Sequence, residues 1–406
     1  MKVVFQDPLF SFQTLRVIGS SYYGGADIGE CLSTANRIKE GDFESWYTEW
    51  LKTANRIQKY AEECNSSKHT VSACQAYLRA SSYYRTAEFF LHENPNDSRL
   101  LETWQASVDT FLKAAGLFTH HFREIEIPYE GTTIPGYFYK PSKEVGKNDV
   151  QRPTFIIHTG FDGTQEELYS QSVLAALQRG YNCLTFEGPG QGRVIRKQKI
   201  PFRYDWEKVV TPVIDYALDN LEGIYPNKIA LMGISLGGYL AARAAAFEPR
   251  LSACVLNDGV YDLSESFVGK FRKTPLESIM TSTNADLINA AVSVTMAMNS
   301  SARWGYTHGM WAFGVTTPFE IIQKTLDYNL KGIAEKIKCP TLVMEAERDE
   351  SFPGQPEMVY DSLIGCSTKK FLKFTEEEGA EDHCHVGALS LANQRIIDWL
   401  DDTTTK

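Results

Sequence analysis

From Thr154 onward the chain repeats one texture, in which short apolar runs rich in β-formers are separated by segments with helical periodicity. The runs are Thr154–His158, Asn182–Phe186, Lys228–Met232, Ala253–Leu256, Thr341–Met344 and Lys370–Phe374, each four or five residues long and set among glycines and prolines. A strand that is apolar throughout, rather than at every second position, is buried on both faces. Such strands alternating with helices join as parallel neighbours, with the helices packed above and below. The pattern therefore predicts an α/β fold with a mostly parallel central sheet flanked by helices. A hairpin precedes it. Arg123–Tyr129 alternates with period two, Glu130-Gly131 turns, and Ile134–Tyr139 continues.

Two stretches break the texture. Between about Gly24 and Gly116 apolar residues recur every three or four positions. Phe43, Trp46, Tyr47, Trp50, Leu51, Ala54, Ile57 and Tyr60 form one helical stripe, and Ala73, Tyr77, Ala80, Tyr84, Ala87 and Phe90 a second. The second ends before the turn-forming Asn94-Pro-Asn-Asp97, and Leu100–Leu117 is a third helix. Between Val260 and Pro340 no strand-like run occurs, and the segment Trp304–Gly314 is aromatic and broken by glycines. The expected organisation is a helical, lid-forming region over 1–120, the first part of an α/β core over 121–262, a helical lid insertion over 263–337, and the rest of the core over 338–406.

At ~100–200 residues per domain, 406 residues allow two to four units. A net charge of −10 argues against phosphate-backbone binding and against attraction to an anionic membrane. No run of 18 apolar residues exists, and Met1–Phe12 lacks the charged and apolar regions of a signal peptide. The eight cysteines show neither C-x-x-C nor zinc spacing. They are expected as free thiols in a reducing, cytoplasmic setting. The C-terminal Asp401–Lys406 reads as a frayed tail.

The chemistry is carried by Gly233-Ile-Ser-Leu-Gly237, which follows the apolar run ending at Met232 and opens a helix. In that context it is a nucleophile elbow. The strained turn lifts Ser235 above the sheet, and side chains two residues before or after would collide. A nucleophilic serine needs a base, and the base an orienting carboxylate. Asp349 lies just past the run Thr341–Met344, with Glu347, Asp258 and Asp262 as rival acids. His383 lies between the last strand and the final helix. Its rival His385 is expected to have already entered that helix. The remaining histidines precede Ser235 or fall in the insertion. The amides of Leu236 and Phe161 are the expected oxyanion donors, the latter in the turn His158-Thr-Gly-Phe-Asp-Gly163. Gly188-Pro-Gly-Gln-Gly192 lacks dinucleotide-binding spacing and reads as a turn beside the site. The acidic stretch Glu376–Asp382 lacks calcium-loop register and reads as solvated. No metal or cofactor is expected.

Several segments together carry a family resemblance: His158–Glu167, Phe186–Gly192, Pro201-Phe-Arg-Tyr-Asp-Trp206, Gly233–Gly238, Gly379–His383, Gly41–Trp46 and Leu78–Arg85. The chain resembles the α/β-hydrolases of fungal polyketide pathways, the melanin heptaketide-shortening and fusarin-type hydrolases, which are related to bacterial pseudo-oxynicotine hydrolase. The resemblance covers nearly the whole chain. It implies an α/β-hydrolase core roofed by the N-terminal helices and the insertion, with Ser235, Asp349 and His383 as the triad. Several members cleave a carbon–carbon bond next to a ketone, and others rearrange or cyclise. Asp382, directly before His383, departs from the family's pattern and is expected to raise that histidine's pKa. Relatives are often dimers, so the resemblance makes a homodimer possible, while the sequence itself leaves the oligomeric state open.

The expected reaction is serine-dependent hydrolysis of a polyketide-derived small molecule, either at a carbon–carbon bond of a β-diketone or at an ester, lactone or thioester. A non-hydrolytic cyclase or isomerase is the further alternative. His158, Asp258, Tyr261, Trp304 and Trp311 are candidate substrate contacts. Aromatic residues are 12% of the chain. Trp46, Trp50, Tyr77, Tyr83, Tyr84, Trp304, Tyr306, Trp311 and Phe313 gather where the two helical additions should face the pocket. Core packing accounts for most of them, and the rest fit an apolar pocket for a flat, unsaturated substrate.

Overall fold

The structure is a computed structural model that describes residues 1–142 and 151–404. Eight strands form one sheet: β1 (His121–Tyr129), β2 (Thr132–Lys140), β3 (Arg152–His158), β4 (Asn182–Phe186), β5 (Ile224–Ile234), β6 (Ala253–Asn257), β7 (Thr341–Ala346) and β8 (Lys369–Phe374). Their order is β1-β2-β4-β3-β5-β6-β7-β8. The hairpin β1–β2 and the β2–β4 pair are antiparallel; every other neighbouring pair is parallel. The α/β class read from the sequence is thus the class observed.

The apolar runs are continuous because the sheet is covered on both sides. Ile156, Leu184, Ile229, Leu231, Leu256 and Val343 point into one core. The residues beside them, Ile157, Cys183, Ala230, Met232, Val255 and Leu342, point into the other. Period two survives as a choice between two apolar layers rather than between core and water. The first layer is closed by the helices Glu207–Asn220 and Gly237–Ala245, the second by Leu389–Thr404. That last helix includes Asp401–Thr404, and Tyr181 donates to the Asp401 carboxylate at 2.6 Å, so those residues are not frayed. Residues 405–406 of the expected tail lie outside the described residues.

A third core belongs to the N-terminal helices α1 (Pro8–Gly19), α2 (Ile28–Ala35), α3 (Phe43–Ser66), α4 (Thr70–Glu88) and α5 (Ser98–Ala115). Trp46, Trp50, Tyr77, Tyr83 and Tyr84 are buried in it, between helices. They fill the interior of this region. The Trp46 indole N–H donates to the Thr86 carbonyl, and Tyr83 donates to Glu30, so their polar ends are satisfied inside that core. Tyr60, read as part of the α3 stripe, is exposed. The stripe continues through the smaller Ala61 and Cys64.

The residues after β6 form the helices Ser264–Val268, Glu277–Met280, Ala285–Met298, Ser300–Phe313 and Pro318–Thr325. The glycines at 305 and 309 do not break the fourth of these. It ends at Gly314, which takes the left-handed cap conformation. Trp304 and Trp311 pack on the N-terminal core, and Trp304 stacks on Phe89 with ring centroids 4.3 Å apart. The two helical additions therefore meet each other.

Candidate active site

Ser235 sits where β5 ends and the helix Gly237–Ala245 begins, with φ +62°. A Cβ on Gly233 would lie 1.8 Å from the Gly237 carbonyl oxygen, so no side chain fits there. The turn leaves Ser235 half-buried, with its hydroxyl oxygen 2.8 Å from His383 Nε2. The opposite ring nitrogen, Nδ1, donates to Asp349 Oδ2 at 2.8 Å. It also lies 2.9 Å from Asp258 Oδ2. Both carboxylates are buried, Asp258 completely.

The four residues come from the carboxyl ends of four neighbouring strands. Ser235 follows β5, Asp258 follows β6, Asp349 lies beyond β7 and His383 beyond β8. Burial opposes a charge on His383, but the Asp349 carboxylate, with Asp258 beside it, outweighs burial and holds the imidazolium well above the usual histidine range. Burial likewise opposes the Asp258 carboxylate, yet its contact with His383 brings it down to about 2. Asp382 takes no part. It pairs with the Met1 amino group at 2.7 Å, so the carboxylates acting on His383 are Asp349 and Asp258.

The rival residues have other work. Glu347 is exposed and accepts from the Glu376 amide. Asp262 accepts from Ser264 and from Asn329 at the base of the insertion. His385 is fully buried and stacks on Phe374 at 3.9 Å. It donates through Nδ1 to the Ala380 carbonyl. It lies in the turn before the final helix, which begins at Leu389, and not inside that helix as expected.

The turn after β3 presses against the elbow. A Cβ on Gly160 would meet the Leu236 amide nitrogen at 2.7 Å, so this turn reaches the elbow only because residue 160 has no side chain. Among the described residues neither the Phe161 nor the Leu236 amide donates to an acceptor. Asp162, the next residue, is held by Arg16 of α1 at 2.6 Å and by Arg85 of α4 at 2.7 Å. Burial works against its charge, but the two guanidinium groups keep its carboxyl well below the usual range. The Phe161 carbonyl accepts from His308 Nε2 of the insertion at 2.8 Å. Burial pushes His308 down to about 3, which leaves the ring neutral with its proton on Nε2. Arg16, Arg85 and His308 each lie on a helix far from this turn in sequence, and no local signal marks them.

Of the candidate substrate contacts, His158 lies fully buried between Phe186 and Trp206 and donates to the Thr159 carbonyl. Asp258 is occupied by His383. Tyr261 is half-buried, and its amide donates to Gln355. Trp304 spends its indole N–H on the Phe89 carbonyl. Trp311 lies against the Arg196 guanidinium at 5.3 Å. The rings beside His383 are instead Phe12 of α1, at 6.2 Å, and Phe352, at 5.5 Å. Helix α1 lies ahead of the helices read from the sequence. Its start signal is there in Asp7, whose side chain caps the helix, followed by Pro8 at the first helical position.

Asp258, His383 and Cys384 offer ligand atoms within 4.8 Å of one another. The chemistry of the set fits hydrogen bonding better than a cation. Burial pushes the Cys384 thiol up to about 12, and its S–H donates to Asp258 Oδ2 at 3.6 Å while His383 already serves Ser235 and Asp349. All eight cysteines are free.

A family model described as "Esterase FrsA-like" matches residues 26–301. The 20-hydroxy-prefusarin hydrolase FUS2 of Gibberella moniliformis is 38% identical over 415 residues, covering 99% of this chain and 98% of that protein. The hydrolase acrC of Aspergillus aculeatus is 37% identical over 411 residues, covering 97% and 96%. The crystal structure of 2,6-dihydroxy-pseudo-oxynicotine hydrolase superposes with a TM-score of 0.75 at 24% identity and covers 95% of both chains, a likeness of fold. Given that family match and these full-length relatives, the chain belongs to the FrsA-like esterases and is an enzyme of the α/β-hydrolase type.

Proposed function

We propose that the chain is a serine hydrolase of a polyketide-derived small molecule. Ser235 is the nucleophile, His383 the base, and Asp349 the carboxylate that holds the imidazole tautomer. The observation that carries this reading is the unbroken line of contacts from Ser235 Oγ through His383 to Asp349, two links of 2.8 Å each. Its position on a strained elbow supports it further.

In this mechanism His383 takes the Ser235 proton as Oγ attacks a carbonyl carbon. The amides of Phe161 and Leu236 bind the resulting oxyanion, and Asp349 and Asp258 stabilise the imidazolium. For a β-diketone the bond between the attacked carbonyl and the central carbon then breaks. The electron pair leaves as an enolate, which His383 protonates to a ketone. Water, deprotonated by the same histidine, releases the acyl group as a carboxylic acid. The sum is one diketone and one water giving one acid and one ketone. No metal or redox cofactor enters this scheme. The free thiols suit a reducing compartment such as the cytoplasm.

A second reading, ester, lactone or thioester hydrolysis, has the esterase family match in its favour. The same machinery serves it, with an alcohol or thiol as the leaving group. Product masses from a synthetic β-diketone and from simple esters separate the two. Labelled oxygen from water in the acid product marks hydrolysis, whereas its absence from an isomeric product contradicts both readings.

A further inference from the structure

The Gly188-Pro-Gly-Gln-Gly192 turn follows β4, and Gln191 within it is almost wholly buried. Its side-chain nitrogen donates to two consecutive carbonyls of the neighbouring turn, Thr159 at 2.7 Å and Gly160 at 3.2 Å. Its side-chain oxygen accepts from the Gly188 amide at 3.0 Å. A primary amide has two N–H donors, and both are used here, on groups that can only accept. The backbone N–H of Gly188 can only donate, so the amide has one orientation. A flipped amide would face two carbonyl oxygens with a third.

The consequence follows from peptide geometry. In a trans peptide the C=O and the following N–H point in opposite directions. A donor that holds the Gly160 carbonyl therefore aims the Phe161 N–H away from Gln191. The same donor on the Thr159 carbonyl fixes the peptide before it, on which His158 Nδ1 also converges at 2.9 Å. The turn so held is the one that lies against the Leu236 amide. An N–H stabilises a developing oxyanion well only if it is already oriented when the charge appears.

We infer that Gln191 is a positioning residue that sets the direction of the Phe161 N–H in the oxyanion hole. This rests on the serine-hydrolase reading above. Gln191 acts through the Thr159 and Gly160 carbonyls and does not itself touch the substrate. Its effect therefore belongs to the transition state and not to ground-state binding.

The test uses the full chain with p-nitrophenyl butyrate as probe substrate. It compares wild type, Gln191→Met, Gln191→Glu and Ser235→Ala by kcat, KM and melting temperature. Methionine keeps length and volume but donates nothing. Glutamate places an acceptor against two acceptors. For Gln191→Met, kcat is expected to fall about 10–100-fold with KM changed less than about 3-fold, somewhat short of deleting an oxyanion donor outright. Gln191→Glu is expected to lose more. Both should bind a phenylboronic acid, which takes up a tetrahedral anionic form on the serine, less tightly in proportion to the loss in kcat. A merely structural glutamine would not produce that proportion. If Ser235→Ala is inactive while folded Gln191→Met turns over at the wild-type rate, the clamp is wrong and the nucleophile stands. If Gln191→Met loses kcat but keeps boronic acid affinity, the clamp is likewise wrong. If Ser235→Ala keeps its activity, the nucleophile assignment fails and the clamp fails with it.

Discussion

The carboxyl edge of the sheet and the helices above it are held together by different physics. At the edge, short segments following three adjacent strands converge on His383, which follows a fourth, and the contacts are short polar ones from Ser235, Asp349 and Asp258. Above it, order comes from stacked aromatic rings and from ion pairs between helices distant in sequence. Phe89 stacks on Trp304, Glu88 pairs with Arg196, and Arg16 and Arg85 share Asp162 and Glu167. Asp162 is one place where the two regions touch, one residue after a proposed oxyanion donor. Changes at the edge should therefore cost rate and little stability, whereas changes above should cost stability first.

The largest effect expected at the edge is from Ser235→Ala. It should lower hydrolysis by ~10⁴-fold or more and leave the melting temperature nearly unchanged, measured by steady-state kinetics and calorimetry. A residual rate within tenfold of wild type would collapse the distinction. Above the edge, Arg85→Met removes a buried guanidinium and leaves the half-buried Asp162 and Glu167 with one guanidinium between them. Breaking a buried pair costs about 3–5 kcal/mol, which urea unfolding will read. Trp46→Ala should cost a similar amount through the cavity it leaves in the N-terminal core, about 3–5 kcal/mol.

A subtler change sharpens the comparison at His383. Two carboxylates at Nδ1 favour the imidazolium, and the base works only when neutral. Activity should therefore rise with pH, with a midpoint above the ordinary histidine value of about 6.5. Asp258→Asn removes one carboxylate, makes the imidazolium less favourable and should move that midpoint to lower pH. A shift to higher pH would contradict the geometry. The smallest effect is expected on the outer face of α3. Tyr60 is exposed, and Tyr60→Ser should change stability by less than about 0.5 kcal/mol.

The same divide governs what could be read from the chain alone. The strands were legible because a strand covered on both sides must be apolar throughout, as Lys228–Met232 and Thr341–Met344 are. The elbow was legible because its steric demand is local, a glycine two residues to either side of the serine. The pairing of Asp258 with Asp349 on one nitrogen was not. Sequence order offers one acid at a time, whereas the sheet brings the ends of β6 and β7 side by side. The separation of His383 from His385 rested on an expected helix start that lies later, at Leu389; what distinguishes them is that one ring reaches Ser235 and the other stacks on Phe374. Which of the aromatic residues serve core packing was not legible, for a similar reason. Period alone says that Trp46 and Trp50 share a face, and not whether that face meets a pocket or another helix. Only the packing of α3 on α4 decides it.

The proposed mechanism depends above all on the identity of the nucleophile. Wild-type protein treated with a fluorophosphonate, digested and mapped by peptide mass spectrometry should carry one adduct, on the peptide containing Ser235, and the adduct should vanish in Ser235→Ala. An adduct on any other residue, or turnover with no adduct on Ser235, would contradict the account.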